Sequence, residues 1–286
     1  MKKTPYCIYD KDFNLESGVG ALRIYLPSGN GFVNYNIVHS VREDRVCDTW
    51  RLSQAFALNS NLEKPFLLSP HAEWDMALHI KNRDDFIGGE LHGDEIFTNM
   101  RLFLDGCEKS AEKITELIEF STITVQVESI GYDPSDHKTE ALRHFKEYTV
   151  TASGIAIDQR IEWLQGYELT SCYLAMMPPY KKYTDSYFTD LDEKPKDICF
   201  PITVEDCKAA TLFGKDCGLS FTMSVTKYPT EKSLPTFIVT DNGGNPYNKM
   251  YFRVCGGGTV EAGEIWESRT EYSIRITDDT SFASLV

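Results

Sequence analysis

Phe145-Lys146-Glu147-Tyr148-Thr149-Val150-Thr151 and, three residues on, Ile155-Ala156-Ile157-Asp158-Gln159-Arg160-Ile161-Glu162-Trp163 decide the fold class. β-Branched and aromatic residues recur through both stretches, and apolar side chains fall at alternate positions over much of each, the period of a pleated strand. Runs of the same kind lie on either side. Upstream are Ala21 to Leu26, Phe32 to Val38, Met76 to Ile80, Met100 to Leu104 and Ile123 to Ser129. Downstream are Leu219 to Lys227, Thr236 to Thr240, Met250 to Cys255 and Glu271 to Ile276. Turn residues separate them, as at Ser28-Gly29-Asn30-Gly31 and Asp241-Asn242-Gly243-Gly244. Repeated short strands with this punctuation predict an all-β chain, an antiparallel β-sandwich or jelly roll with few short helices. Glu112 to Phe120 fits one short helix or a connecting loop. Tyr180 to Lys196 reads as a loop inserted over one face. No Pro-, Gly- or Ser-rich linker divides the chain, so residues 1–286 are expected to form a single domain.

The chain has 286 residues, with 29 Lys and Arg against 43 Asp and Glu, a formal net charge of −14. An aromatic content of 12% argues against disorder. The acidic balance lacks the basic footprint of a nucleic-acid binder and disfavours an anionic membrane surface. No apolar run approaches the roughly 20 residues of a spanning helix. Met1 to Cys7 is not followed by a signal-peptide core, so the expected setting is the cytoplasm, or a phage particle released by lysis. Eight cysteines without a CxxC or a nearby His predict reduced, mostly buried thiols and no metal site. GxSxG, HExxH, P-loop and Rossmann patterns are absent, and no cofactor is expected.

On the strand through Arg143 to Thr149, His144, Lys146 and Tyr148 share one face in steps of roughly 6.6 Å, while Phe145 points to the other side, toward a core. A proton carrier, a cation and a phenol in line fit acid–base chemistry; a polar outer face is the plainer reading. Gly88-Gly89-Glu90-Leu91-His92-Gly93-Asp94-Glu95 reads as a bend where backbone approaches a ligand. There His92 is a candidate base with Asp94 or Glu95 to orient it, or the segment is simply a turn with ordinary acids. Arg42 and Arg51 are placed to clamp a carboxylate, and Trp50 and Trp74 to stack on sugar rings. His71 and Glu73 stand beside Trp74. Gln126 and Glu128 share a strand face and would line the same groove.

Together, the His/Lys/Tyr strand and the Gly-rich His turn on an all-β chain resemble a β-jelly-roll polysaccharide lyase. Stretches around Gly89 to Glu95, Ile161 to Met177 and Met250 to Ile276 are also similar to phage tail and prophage modules. The lyase resemblance implies β-elimination on a polysaccharide containing uronic acid. It makes Tyr148 the general base or acid, His92 and His144 alternatives for the partner proton transfer, and Lys146 and Arg42 stabilisers of the enolate charge. Trp50, Trp74, Arg51, Gln126 and Glu128 would bind an oligo- or polysaccharide. A homo-oligomer is compatible with this reading. The enzyme reading expects His92, His144, Lys146 and Tyr148 to converge in one concave groove. A non-catalytic binding module expects a groove lined by Trp and Tyr, and a structural subunit expects a flat assembly surface.

Overall fold

The computed structural model describes residues 4–13, 18–63, 65–70, 74–229, 235–241 and 243–277. Two β-sheets lie face to face. The larger runs in spatial order from Lys196–Asp197 through Ser186–Thr189, Ala209–Gly214, Leu219–Lys227, Ile265–Ile276, Gly154–Trp163, Glu140–Thr151, Ile123–Tyr132 and Glu95–Leu104. It continues through Cys47–Leu58, Gly31–Arg42, Gly18–Ser28 and Tyr6–Asp10 to Ile118–Glu119. The smaller contains Ile202–Glu205, Thr236–Asp241, Asn248–Cys255, Tyr167–Met177 and Gly258–Val260, with Ala77–Ile80 also paired to Tyr167–Met177. The strand runs anticipated from the sequence fall within strands, except that Met76 precedes the strand Ala77–Ile80. Among the described residues the strand pairing is antiparallel except where Cys47 and Asp48 meet Glu95 and Ile96 in parallel.

Alternation writes the sandwich into the strands. Along Ile123–Tyr132, buried and more exposed residues strictly alternate, so one face is core and the other is solvent. The same holds from Arg143 to the end of Glu140–Thr151, but with the opposite phase to the sequence expectation. His144, Lys146 and Tyr148 are the buried row, and Phe145 is half-buried on the outer face. The cause is register: Tyr148 and Val150 lie opposite Val125 and Ile123, and one face cannot be both core and surface.

The stretch Glu112 to Phe120, open in sequence to a short helix or a loop, begins within a 3-10 turn, Ala111–Lys113, and includes the short strand Ile118–Glu119. Within Tyr180 to Lys196, Ser186–Thr189 joins the larger sheet, so that stretch is not all loop.

The apolar core comes in two main parts. One cluster gathers Val125, Tyr148, Val150 and Ile157 of the larger sheet against Ala175, Met177, Phe237 and Phe252 of the smaller. A second gathers Leu142, Ile161, Trp163 and Trp266 against Leu169, Cys172, Leu174 and Val254. Its Trp163 and Trp266 rings meet edge to face at 5.4 Å, worth about 0.5–1.5 kcal/mol beyond burial. Along Glu140–Thr151, Leu142 belongs to the second cluster and Tyr148 to the first. His144 and Lys146, between them, divide the core with buried polar side chains.

Cys7, Cys47 and Cys207 are buried, and burial pushes each thiol up to about 12. Cys107 and Cys199 are exposed. Brief alkylation of the folded protein, read by peptide mass spectrometry, is expected to label Cys107 and Cys199 first and to leave the buried thiols, Cys7, Cys47, Cys172 and Cys207, until denaturant is added.

Candidate functional site

The two parts of the core are separated by a polar cluster built under the Gly88–Glu95 segment. That segment makes a single helical turn, Gly89–His92, entered and left through left-handed backbone: Gly88 at φ 125°, Gly89 at 68°, Gly93 at 84° and Asp94 at 59°. Gly88 N–H donates to the Gly93 carbonyl at 3.1 Å, closing the loop. Arg45 ties the loop from outside, donating to the carbonyls of Leu91 and His92. At Gly88 a Cβ would lie 2.5 Å from the Met76 carbonyl oxygen, on top of a φ that side chains avoid. Gly88→Ala is therefore expected to destabilise the fold by about 1–3 kcal/mol, read by urea unfolding, with the loop carrying the damage.

The loop sends successive side chains to opposite destinations. Glu90 turns inward to a fully buried ion pair, its Oε2 2.5 Å from Arg51 Nη2. Glu95 also turns inward. It accepts from Gly89 N–H at 3.2 Å and from the Ser129 hydroxyl at 2.6 Å, and lies 3.2 Å from His144 Nδ1 and 3.3 Å from Lys146 Nζ. Lys146 continues to Asp75 at 3.1 Å, and Tyr148 donates its hydroxyl to the same carboxylate at 2.9 Å. Gln159 closes the far side, with Oε1 3.1 Å from His144 Nε2 and its amide donating to the Leu174 carbonyl.

Burial pushes the Glu95 carboxyl up, but Lys146 and the His144 hydrogen bond overcome it and hold the group well below its ordinary 4.5. Asp75 is likewise held low, burial being outweighed by Lys146. Burial pulls Lys146 down, and the two carboxylates more than restore it, so it stays charged. Tyr148 moves the other way. Burial, then the Asp75 charge, push its phenol well above 10.

The outward side of the loop is different in kind. His92 Nδ1 lies 2.8 Å from Asp85 Oδ1, and His137 Nδ1 lies 2.6 Å from Asp94 Oδ1. An imidazole held through Nδ1 by a carboxylate keeps Nε2 for another partner, the arrangement used in proton transfer. Asp94 is pushed up chiefly by burial, against the pull of His137, with Asp85 adding to the rise and Arg45 opposing it. A strip of rings adjoins them. The Phe86 ring centre is 4.8 Å from His92, 4.7 Å from His79 and 6.4 Å from Tyr173, and Tyr173 is 4.7 Å from Tyr251.

The residues singled out in the sequence are thus divided. His144, Lys146 and Tyr148 do converge, with Glu95 and Asp75, but beneath the surface rather than in an open groove. His92 stands apart from them on the outer side. Lys146 does not help the Tyr148 phenol ionise, because the carboxylate between them has the stronger hold. Arg42 and Arg51 each clamp a carboxylate, but the protein's own: Asp44, at 2.8 and 2.5 Å, and Glu90. Trp50 is buried, stacked on the His39 imidazole at 4.9 Å, and Trp74 is wholly buried with its indole donating to the Ser53 carbonyl. Neither presents a face to a sugar. Gln126 donates to Glu147 at 2.7 Å, while Glu128 lines an outer groove. His71 and Glu73 lie outside the described residues.

The loop's acids are also shifted by one partner. Asp94 serves His137, Glu95 serves His144, and His92 takes Asp85. Asp85, His137, Phe86 and Asp75 were not legible as site residues. Only the fold brings the Asp84-Asp85-Phe86 and Asp133 to His137 stretches to the loop.

No family model matches the chain, and no curated protein matches it. Solved structures do. The galactosidase domain of the α-galactosidase–sucrose kinase AgaSK aligns over 93% of this chain and 41% of its own, at 10% identity and a TM-score of 0.53. The α-galactosidase AgaB from Geobacillus stearothermophilus aligns over 94% and 41%, at 10% identity and a TM-score of 0.49. A galactose mutarotase-like protein from Clostridium acetobutylicum aligns over 90% and 96%, at 8% identity and a TM-score of 0.47. The chain spans about two fifths of the length of these galactosidase chains. At such identities the likeness is one of fold.

Proposed function

We propose that the protein is a carbohydrate-active enzyme that transfers protons on a neutral sugar at the outer side of the Gly88–Glu95 loop. The observation that carries this is the pair of imidazoles, His92 and His137, each held through Nδ1 by an aspartate, with His92 set against the Phe86 ring strip. Rings offer apolar faces to the C–H side of a sugar, and imidazole and carboxylate edges suit its hydroxyls. One imidazole gives a proton while the other takes one, the requirement for opening and reclosing a sugar ring at its anomeric carbon. The fold shared with a galactosidase domain is an analogy in support, and makes galactose the first sugar to try.

Polyuronate β-elimination draws less support. It needs an ionisable base and a cation for the substrate carboxylate. Tyr148 is buried with its phenol pushed up, and two cations of the outer side are engaged: Arg45 with the loop carbonyls, Arg83 bidentately with Asp133 at 2.6 and 2.8 Å. The test is a panel: anomer interconversion of galactose and glucose followed by polarimetry, cleavage of an aryl galactoside, and ultraviolet absorbance of unsaturated uronates. Acceleration of the first at catalytic enzyme concentration is the expected result. A signal only from the uronates would restore the lyase reading and reject this one.

A further inference from the structure

We propose that the outward groove floored by Phe145 binds a sugar unit of a neutral oligosaccharide, so that the ligand is a chain rather than a single sugar. This rests on the neutral-sugar reading above and extends it to a second site. The groove encloses about 420 Å³ and is lined by Thr98, Glu128, Arg143, Phe145, Arg160 and Glu162 among others. That volume falls at the lower end of the range for small-ligand sites, about 300–1,000 Å³.

Strand register assembles it. Phe145 lies opposite Glu128 on one neighbouring strand and Arg160 on the other. Two residues along, on the same face, Arg143 lies opposite Ile130 and Glu162. A half-buried ring is therefore surrounded by two guanidiniums and two carboxylates. The ion pairs among them are loose: Glu162 lies 3.9 Å from Arg143 and 3.8 Å from Arg160, beyond hydrogen-bond length. The guanidinium donors and carboxylate acceptors thus keep capacity for hydroxyl groups. Two positive and two negative side chains balance, which suits an uncharged, hydroxyl-rich ligand. A uronate would meet Glu128 and Glu162, on a chain whose net charge is −14.

One strand leads from the groove to the histidine loop. Glu128, Ile130 and Tyr132 share one side of their strand over about 13 Å. At its end, Tyr132 N–H donates at 2.7 Å to the carbonyl of Asp94, the residue that holds His137. A ligand touching both places is longer than one sugar ring.

The experiment is calorimetric titration of the full chain with galactomannan oligosaccharides, with free galactose, and with oligogalacturonates as the charged control. The oligosaccharides are expected to bind about tenfold or more tightly than galactose, a gain of roughly 1.4 kcal/mol. Phe145→Ala should abolish that advantage and leave galactose binding unchanged, while Phe145→Tyr, which keeps a ring, should retain it. Unaltered oligosaccharide affinity in Phe145→Ala overturns the proposal. So does a preference for oligogalacturonate, or absence of oligosaccharide binding by the unaltered protein. His92→Ala separates this claim from the catalytic one. If no sugar is turned over but the Phe145 effect persists, the groove stands and the proton-transfer reading falls.

Discussion

Replacing Lys146 with methionine lowers the stability of the folded protein by about 3–5 kcal/mol, the usual penalty for removing one partner of a buried ion pair. Methionine matches the stem of lysine closely, so the loss comes from charge and not from a cavity. Asp75 and Glu95 are left facing each other across the core without their shared counter-ion. The measurement is urea unfolding monitored by tryptophan fluorescence, with an unchanged slope to show that the unfolded state is the same. Adding Asp75→Asn and Glu95→Gln to Lys146→Met removes the stranded charges and is expected to recover much of the loss. A Lys146→Met protein within about 1 kcal/mol of the original would show that Lys146 is not what holds these carboxylates.

The same cluster sets the acid limb of stability. Glu95 and Asp75 have folded values below their ordinary 4.5 and 3.8. Their contribution is therefore complete above those ordinary values and drains as pH falls through the lowered ones. Lys146 is raised above 10.5, so its share is complete below that pH and is lost as pH rises through the raised value. The unaltered protein should be most stable between these limits. In the triple variant the acid-side loss should be shallower.

Why does a sandwich keep such a cluster in its core? The alternation that made the strands legible could not say which phase was buried. Phe145 and Tyr148 occupy opposite phases of one strand, and hydrophobicity favours either. What decides is the neighbouring strand, where Val125 and Val127 fix the inner face against Tyr148 and Lys146. That information lies about twenty residues away and appears only once register is known.

The site obeys the same limit. His92 was legible because glycines mark a loop where backbone is constrained. Its orienting partner was not, because Asp85 reaches it through the bridge that pairs Leu78 with Ile87, seven residues from the histidine only in sequence count. The Trp residues misled for a physical reason. Indole suits a sugar face and a core equally, and burial, not residue type, separates the two uses. The long strands Cys47–Leu58 and Tyr167–Met177 passed unread for a related cause. In Cys47–Leu58, Arg51 is buried against the distant Glu90, so the expected apolar pattern is broken where the core is charged.

His92→Ala is expected to lower kcat on the responsive sugar by about 10²–10⁴-fold, the usual share of one positioned acid or base. The imidazole is partly exposed and its ring is not part of the charged core, so the variant should fold with near-original stability. This separates it from Lys146→Met, which should lose stability first. Asp85→Asn provides the graded control. An amide still hydrogen-bonds the ring but no longer stabilises its charged form, so kcat should fall by less than in His92→Ala, with KM little changed. His137→Ala tests the second pair. If each histidine acts at a different stage of one proton exchange, both single variants lose most of the rate, and His92→Ala with His137→Ala loses little more than either alone, because groups that work as a unit are not additive. Full activity in His92→Ala and in His137→Ala would leave the outer face of the loop without a catalytic role, and the carbohydrate reading would then rest on binding at the Phe145 groove.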